Sequence, residues 1–338
     1  MITEKMLDEM LVTPSRMLTE DMKKIDGDIM VIGAGGKMGP SLCVLAKNAI
    51  KEAGLSKRVI AVSRFTDPIA TQFLQDNDIE TVSTDLLEEG SVEKLEEVKN
   101  IIFMAGRKFG TEGGEALTWA MNTYLPAQIG KKFRRSRIVA FSSGNVYPMM
   151  PIHSGGASEA VKPEPIGEYG MSCLGRERMF EYCSEKYKTP MLIYRLNYAV
   201  DLRYGVLHDI AENIMKDRPI SVDTPAFNCI WQQDANEIAI RSLLHTQYPI
   251  ARLNVTGPET VSVRDAADQL GRLLKKEPQF IGEEKSKAYL NNAGKAIRLF
   301  GYPKVGINEL IEMQGDWILS GGRSLGKATH FEERGGNY

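Results

Sequence analysis

The segment DIMVIGAGGKMGP places Gly33, Gly36 and Gly39 in a G-x-x-G-x-x-G spacing directly after a run that reads as a buried strand. A helical pattern follows from about Pro40 to Ala53. Few backbone paths satisfy both halves of this stretch. The chain must turn sharply between strand and helix, and glycine permits the turn and the close packing it requires. The unit predicted is strand, tight turn and helix, with the free N–H groups of the helix start facing an anion. A strict G-x-G-x-x-G is not met, because Met38 holds its last glycine place, and Met38 after Gly36-Lys37 also excludes a Walker A loop. Three glycines can simply cap a turn, but at a first β–α junction they favour a dinucleotide pyrophosphate.

The rest of the chain repeats this alternation. RVIAVSRF, IETVSTDL, NIIFMAG, RIVAFSSGNVY and PMLIYRLNYAV read as strands, separated by helical patterns such as PIATQFLQDN and EALTWAMNTYLPAQIGKKF. Short β-rich runs alternating with helices predict an α/β fold, a Rossmann-like doubly wound parallel sheet. Residues 1–27 read as an N-terminal helical extension, with Thr13 as N-cap and Pro14 at the first helical position. The expected division is a dinucleotide-binding domain over 28–200 and a smaller, mainly substrate-binding C-terminal lobe over 201–338. About 228–256 is expected to return to the first domain.

Composition removes several function classes. A formal net charge of −2 gives no electrostatic reason for a nucleic acid or an anionic membrane as partner. No apolar run approaches the roughly 20 residues of a membrane span. The opening MITEKMLDEM has no apolar core of a signal peptide, so the expected location is cytoplasmic. The four cysteines, Cys43, Cys173, Cys183 and Cys229, have no metal-ligand spacing, and no metal is expected.

After the second strand comes Ser63-Arg64. A carboxylate there suits a free ribose 2′-hydroxyl, whereas a hydroxyl and an arginine suit a 2′-phosphate. NADP is therefore favoured over NAD, unless Arg64 is only a solvated charge. Asp85, after the third strand, either accepts from an adenine amino group or caps a helix.

GAGGKMG, TDL, SSGNVY and EYGMSC occur in an order and spacing that resemble the extended short-chain dehydrogenase/reductases, the NAD(P)-dependent epimerase/dehydratase family. The likeness covers most of the chain: Asn122 matches the family's helix asparagine, Arg195 and Asn197 its strand beside the nicotinamide, and Asp234 a later helix start. It implies hydride-transfer chemistry on a sugar, nucleotide-sugar or sugar acid, a small-molecule partner, and a homodimer through the helices holding Asn122 and Tyr169. Cofactor contacts are implied for Gly33, Gly36, Lys37, Met38, Gly39, Ser63, Arg64, Asp85, Leu86, Met104, Ala105, Gly106, Asn122, Tyr169 and Cys173.

In that family a Ser or Thr, a Tyr, and a Lys four residues after the Tyr perform the chemistry. By position these are Ser143, Tyr169 and Cys173, so the lysine is replaced. A phenol of pKa about 10 needs help to act as a base at neutral pH. Arg176, seven residues after Tyr169 and about 10 Å along a helix axis, lies too far along it for direct contact to be expected. Cys173 is otherwise a small packed helix residue. Lys108, Ser143, Asn145, His153, Asn197 and Trp231 are the candidate substrate contacts. Arg107-Lys108 suits an acidic or phosphorylated substrate or is a solvated pair; His153 and Trp231 are alternatively a surface histidine and a packed tryptophan. The rival reading is a catalytically impaired NADP(H)-binding sensor or interaction protein of the same fold.

Overall fold

The computed structural model describes residues 2–108, 110 and 113–336. Seven strands form its central sheet: β1 (Ile29–Ile32), β2 (Val59–Ser63), β3 (Glu80–Ser83), β4 (Asn100–Phe103), β5 (Arg137–Ser143), β6 (Met191–Leu196) and β7 (Ala251–Val255). Their order is β7-β6-β5-β4-β1-β2-β3, with every neighbouring pair parallel. The chain builds outward from β1 to β3, then returns to β4 on the other side of β1. That reversal opens a crevice beyond the carboxyl ends of β1 and β4.

The sheet is covered on both faces because successive strand residues point to opposite sides. Val31, Ala61 and Val139 join Leu42, Ala46 and Ala49 of the helix Gly39–Glu52 in one buried layer. Ile32, Ile60, Phe103 and Ile138 meet Leu125, Ile129 and Phe180 on the other face. Phe180 belongs to the helix Gly167–Tyr187, and its ring packs edge-on against Phe103 with centroids 5.3 Å apart.

A third core lies in the smaller C-terminal lobe, where the helices Val206–Met215, Val263–Leu274 and Ile307–Leu319 bury Trp231, Phe227 and Trp317. The N-terminal residues join the two parts. The helix Glu4–Val12 places Leu7 and Leu11 in the lobe core, while Arg16–Lys24 places Leu18 and Met22 against the sheet layer. The predicted cap is displaced by two residues. Thr13 ends the first helix and Ser15 starts the second, accepting from Leu18 N–H at 3.0 Å while donating to Glu237. That contact to a residue more than two hundred positions away chose the cap, and local sequence does not show it. No helix among the described residues is long and apolar enough to cross a membrane.

Candidate active site

Each glycine of the first turn meets a different demand. Gly33 has φ +92°, and a Cβ there would lie 2.4 Å from the Ala105 nitrogen. A Cβ on Gly39 would lie 2.3 Å from the Ala34 carbonyl oxygen, so this glycine lets the helix start against the turn. Gly35, not singled out from the sequence, sits over the Ser63 hydroxyl, 2.6 Å from where its Cβ would be. Gly36 is different: its Cβ would meet only the Gly33 oxygen, at 3.5 Å, so it faces the crevice. The helix Gly39–Glu52 has no side-chain cap, which leaves its positive end open to an anion. This cradle fits a dinucleotide's pyrophosphate, with Gly33, Gly36, Lys37 and Met38 as the residues to hold it.

The crevice continues into a cavity of about 290 Å³, lined among others by Met104, Gly106, Lys108, Ser143, Asn145, Tyr169, Arg176 and Asn197. Ser143 ends β5, and Tyr169 stands in the first turn of Gly167–Tyr187. Tyr169 lies beside Ser143 and Cys173, and both side chains act on its phenol. The Ser143 hydroxyl also accepts from the Asn145 N–H at 3.2 Å and lies 3.1 Å from Asn145 Oδ1. Burial pushes the Tyr169 phenol well above its ordinary range, and the Cys173 sulfur adds to the rise. The Ser143 side chain and the Arg176 charge work in the opposite direction. Burial also raises the Cys173 thiol, against the pull of Arg176. The group in the lysine position is thus a neutral thiol.

Arg176 is held in place by protein oxygens. Its guanidinium donates to Phe141 O at 2.8 Å and Asn122 Oδ1 at 2.6 Å. It reaches Tyr169 through its electrostatic field, as the helical spacing requires. Two lysines supply further charge. Lys108 is pushed down to about 8 by burial, and its ammonium donates to Thr329 O at 3.2 Å. Lys37, also lowered to about 8 by burial, donates to Ala199 O at 3.0 Å and stands 3.8 Å from the centroid of the Tyr204 ring.

Beneath the cavity lies a buried ion pair. Arg195 donates to Glu177 through Nε at 2.9 Å and Nη2 at 2.6 Å, and Ser142 donates to Glu177 at 2.6 Å. Arg195 also donates to the Tyr147 hydroxyl, which donates to Asn254. Glu177 therefore ties the end of β5, one residue before Ser143, to β6 and to the Tyr169 helix.

The sequence candidates divide in space. Lys108, Ser143, Asn145 and Asn197 line the Tyr169 cavity, as do Gly33, Gly36, Lys37, Met38, Met104 and Gly106. Ser63, Arg64, Asp85 and Leu86 gather at the ends of β2 and β3, where Arg64 lies 3.7 Å from Asp85. Asp85 also accepts from the Leu87 N–H at 3.0 Å within a turn; no helix starts there for it to cap. Ala105 supports Gly33 from below.

Four candidates stand apart. Asn122 is fully buried and saturated by Arg107, Ser172 and Arg176, so it shapes the wall without entering the cavity. Cys173 is fully buried beside Tyr169 and does not line the cavity. Trp231 is packed in the lobe core and His153 is exposed on the loop after Met150–Pro151; neither lines the cavity. Their alternative readings, packing and surface, are the ones the geometry favours. Of the Arg107-Lys108 loop, Phe109, Thr111 and Glu112 lie outside the described residues. Tyr198, Tyr204, Val206 and Thr329 line the cavity without having been singled out, and no motif marks them.

Comparison with known proteins agrees with this architecture. Residues 29–200 match the model of the NAD dependent epimerase/dehydratase family. The UDP-glucuronic acid 4-epimerase from Bacillus cereus in complex with NAD is similar in structure, with a TM-score of 0.71 at 20% identity over 87% of this chain and 99% of its own. UDP-glucose 4-epimerase from Thermotoga maritima, solved with UDP-glucose, gives 0.68 at 16% identity over 87% and 99%. UDP-glucose 4-epimerase from Thermus thermophilus, in complex with NAD, gives 0.68 at 17% over 86% and 98%. At such identities the likeness is one of fold. No curated protein matches the sequence. The family match spans just over half of the chain and includes the glycine turn, Ser143 and Tyr169; the chain belongs to the NAD dependent epimerase/dehydratase family.

Proposed function

We propose that the chain is an NAD(P)-dependent oxidoreductase or epimerase acting on a sugar, nucleotide-sugar or sugar acid, with Tyr169 as its acid/base. The observation that carries this reading is that Tyr169 and Ser143 line one cavity inside the crevice that the glycine turn opens. A nicotinamide dinucleotide bound there supplies a hydride acceptor and donor. Ser143 holds the substrate hydroxyl or carbonyl oxygen. Tyr169 takes the hydroxyl proton as the neighbouring carbon is oxidised, and returns it on reduction. Arg176 and Lys108 are the protein charges that offset the loss of the family's lysine.

Because the phenol ionises high, activity in the oxidative direction is expected to rise toward alkaline pH. Cys173→Lys places a cation within reach of the phenolate and lowers its pKa. The rising limb should move to lower pH, as measured by a pH–rate profile with the cofactor saturating. An unmoved limb means that position 173 does not govern Tyr169.

Cofactor choice follows from Ser63-Arg64, a hydroxyl and an arginine at the end of β2 where a carboxylate would suit a free ribose hydroxyl. NADP is expected to bind more tightly than NAD, although two of the compared structures hold NAD. Titration of both cofactors against Ser63→Asp and Arg64→Ala tests this. Full NADP preference in Arg64→Ala contradicts it.

A homodimer is supported by exposed Leu117, Tyr124, Met171 and Tyr182 on the helices around Asn122 and Tyr169. Light scattering that finds only monomer at micromolar concentration contradicts this assembly. Cys173 itself favours the second reading, a catalytically silent NADP(H)-binding protein, which the Tyr169 experiment below separates from the first.

A further inference from the structure

We infer that the substrate is a free sugar acid, a small polyhydroxy carboxylate without a nucleotide, because the C-terminal segment is built into the cleft beside Tyr169. This rests on the reading of Tyr169 as the reacting centre. The segment after the helix Ile307–Leu319 has no regular secondary structure, yet it is fixed at several points. Leu325 N–H donates to Arg203 O at 3.0 Å. Thr329, only 2% exposed, donates to Asp209 through its N–H at 2.8 Å and its hydroxyl at 2.5 Å, while its carbonyl accepts from Lys108. It thereby bridges the lobe helix Val206–Met215 and the loop after β4, and it forms part of the Tyr169 cavity wall.

Beyond Thr329 the segment keeps crossing the gap between lobes. Phe331 is 3% exposed and belongs to the lobe core. Thr224 donates to Glu332 O at 3.2 Å, and Arg334 donates to Asp223 O and Lys287 O at 3.0 and 2.8 Å. Gly336 rests on the head of the Tyr169 helix, where a Cβ would come within 2.4 Å of Ile166 O. Thr329 and Phe331, as buried as core residues, anchor this strap as a wall.

A nucleotide-linked sugar held at Tyr169 must lead its diphosphate out of the cavity. Toward the lobe that path meets Thr329 and the Asp209 carboxylate. A second lobe cavity of about 520 Å³ begins only beyond them, with Asp209 and Glu332 but also Lys216, Arg218 and Lys327 in its wall, so it is the strap rather than the cavity's charge that separates the two. The half-buried Asp209 carboxylate at this wall disfavours a diphosphate led past it. Inside the strap the chemistry suits a smaller ligand. Lys108, with a pKa of about 8, is mostly charged at neutral pH and matches one carboxylate. The carboxamides of Asn145 and Asn197 match hydroxyls.

The test is calorimetric titration of the full chain, loaded with NAD or NADP, using glucuronate and gluconate as one class and UDP-glucuronate and UDP-glucose as the other. A free acid is expected to bind at least about tenfold more tightly than either UDP-sugar, and Lys108→Met to weaken it by about tenfold or more. Truncation after Ala328 is expected to admit UDP-glucuronate. Because that truncation strips Phe331 from a core, Asp209→Asn with Thr329→Gly is measured beside it as a strap loosened in place. UDP-glucuronate binding to the intact chain as tightly as the free acids overturns the inference, and so does binding by neither class. Turnover of a bound UDP-sugar defeats the inference alone and leaves the Tyr169 chemistry standing. A free acid that binds and is never transformed defeats the chemistry alone.

Discussion

Glu177→Gln is expected to destabilise the fold by about 3–5 kcal/mol, the range for breaking a buried ion pair by removing one partner. Arg195 is 1% exposed, and its guanidinium faces Glu177 through two donors. A carboxamide leaves that charge without a counter-ion in a site where water cannot compensate. It also turns N–H groups toward Arg195 and weakens the Ser142 contact. The penalty belongs to the unpaired charge and not to the loss of a favourable pair. Glu177→Leu combined with Arg195→Met should therefore be much less damaging than Glu177→Gln alone. Denaturant unfolding at equilibrium measures both. A single variant that loses less than about 1 kcal/mol, the scale of an exposed pair, shows that the ion pair does not hold β5 and β6 at the site.

Much of this molecule was legible from its sequence wherever local pattern and tertiary demand coincide. The glycine turn is an example: Gly33 and Gly39 answer to backbone atoms a few residues away or just past the end of the adjacent strand β4, so their spacing announces the crevice. The strands were equally readable as continuous apolar runs, since β1 and β5 are buried on both faces and their residues alternate between the two core layers. Ser143 and Tyr169 emerged from motif order, and they meet in one cavity.

The remainder depended on contacts across long stretches of chain. Ser15 displaced Thr13 as a helix cap because Glu237 receives its hydroxyl. Asn122 looked like a cofactor ligand, but Arg107, Ser172 and Arg176 consume its amide. The place of Arg176 along the helix was predictable, whereas its anchors, the Phe141 carbonyl and Asn122, were not. Trp231 shows how an aromatic before a helix start reads as a sugar platform and turns out to be lobe core. The C-terminal strap carried no signal at all. Most of its fixed points are backbone carbonyls and glycines, which produce no periodicity.

Tyr169→Phe removes one oxygen and is expected to reduce turnover by about 10²–10⁴-fold, the usual contribution of a positioned general acid or base. The phenyl ring keeps its packing, and the glycine cradle that faces the dinucleotide is untouched, so cofactor affinity should be nearly unchanged. Ser143 retains Asn145 as a partner, which limits any collapse of the site. The two functional readings part here: a sensor loses nothing with the hydroxyl, whereas an enzyme loses its proton-transfer group. The decisive measurement is single-turnover kinetics of wild type and Tyr169→Phe, each saturated with cofactor and with a substrate that wild type transforms. The account predicts a drop of at least about 10²-fold in the chemical step with cofactor binding preserved. A Tyr169→Phe protein within about threefold of wild type, far short of that range, contradicts it.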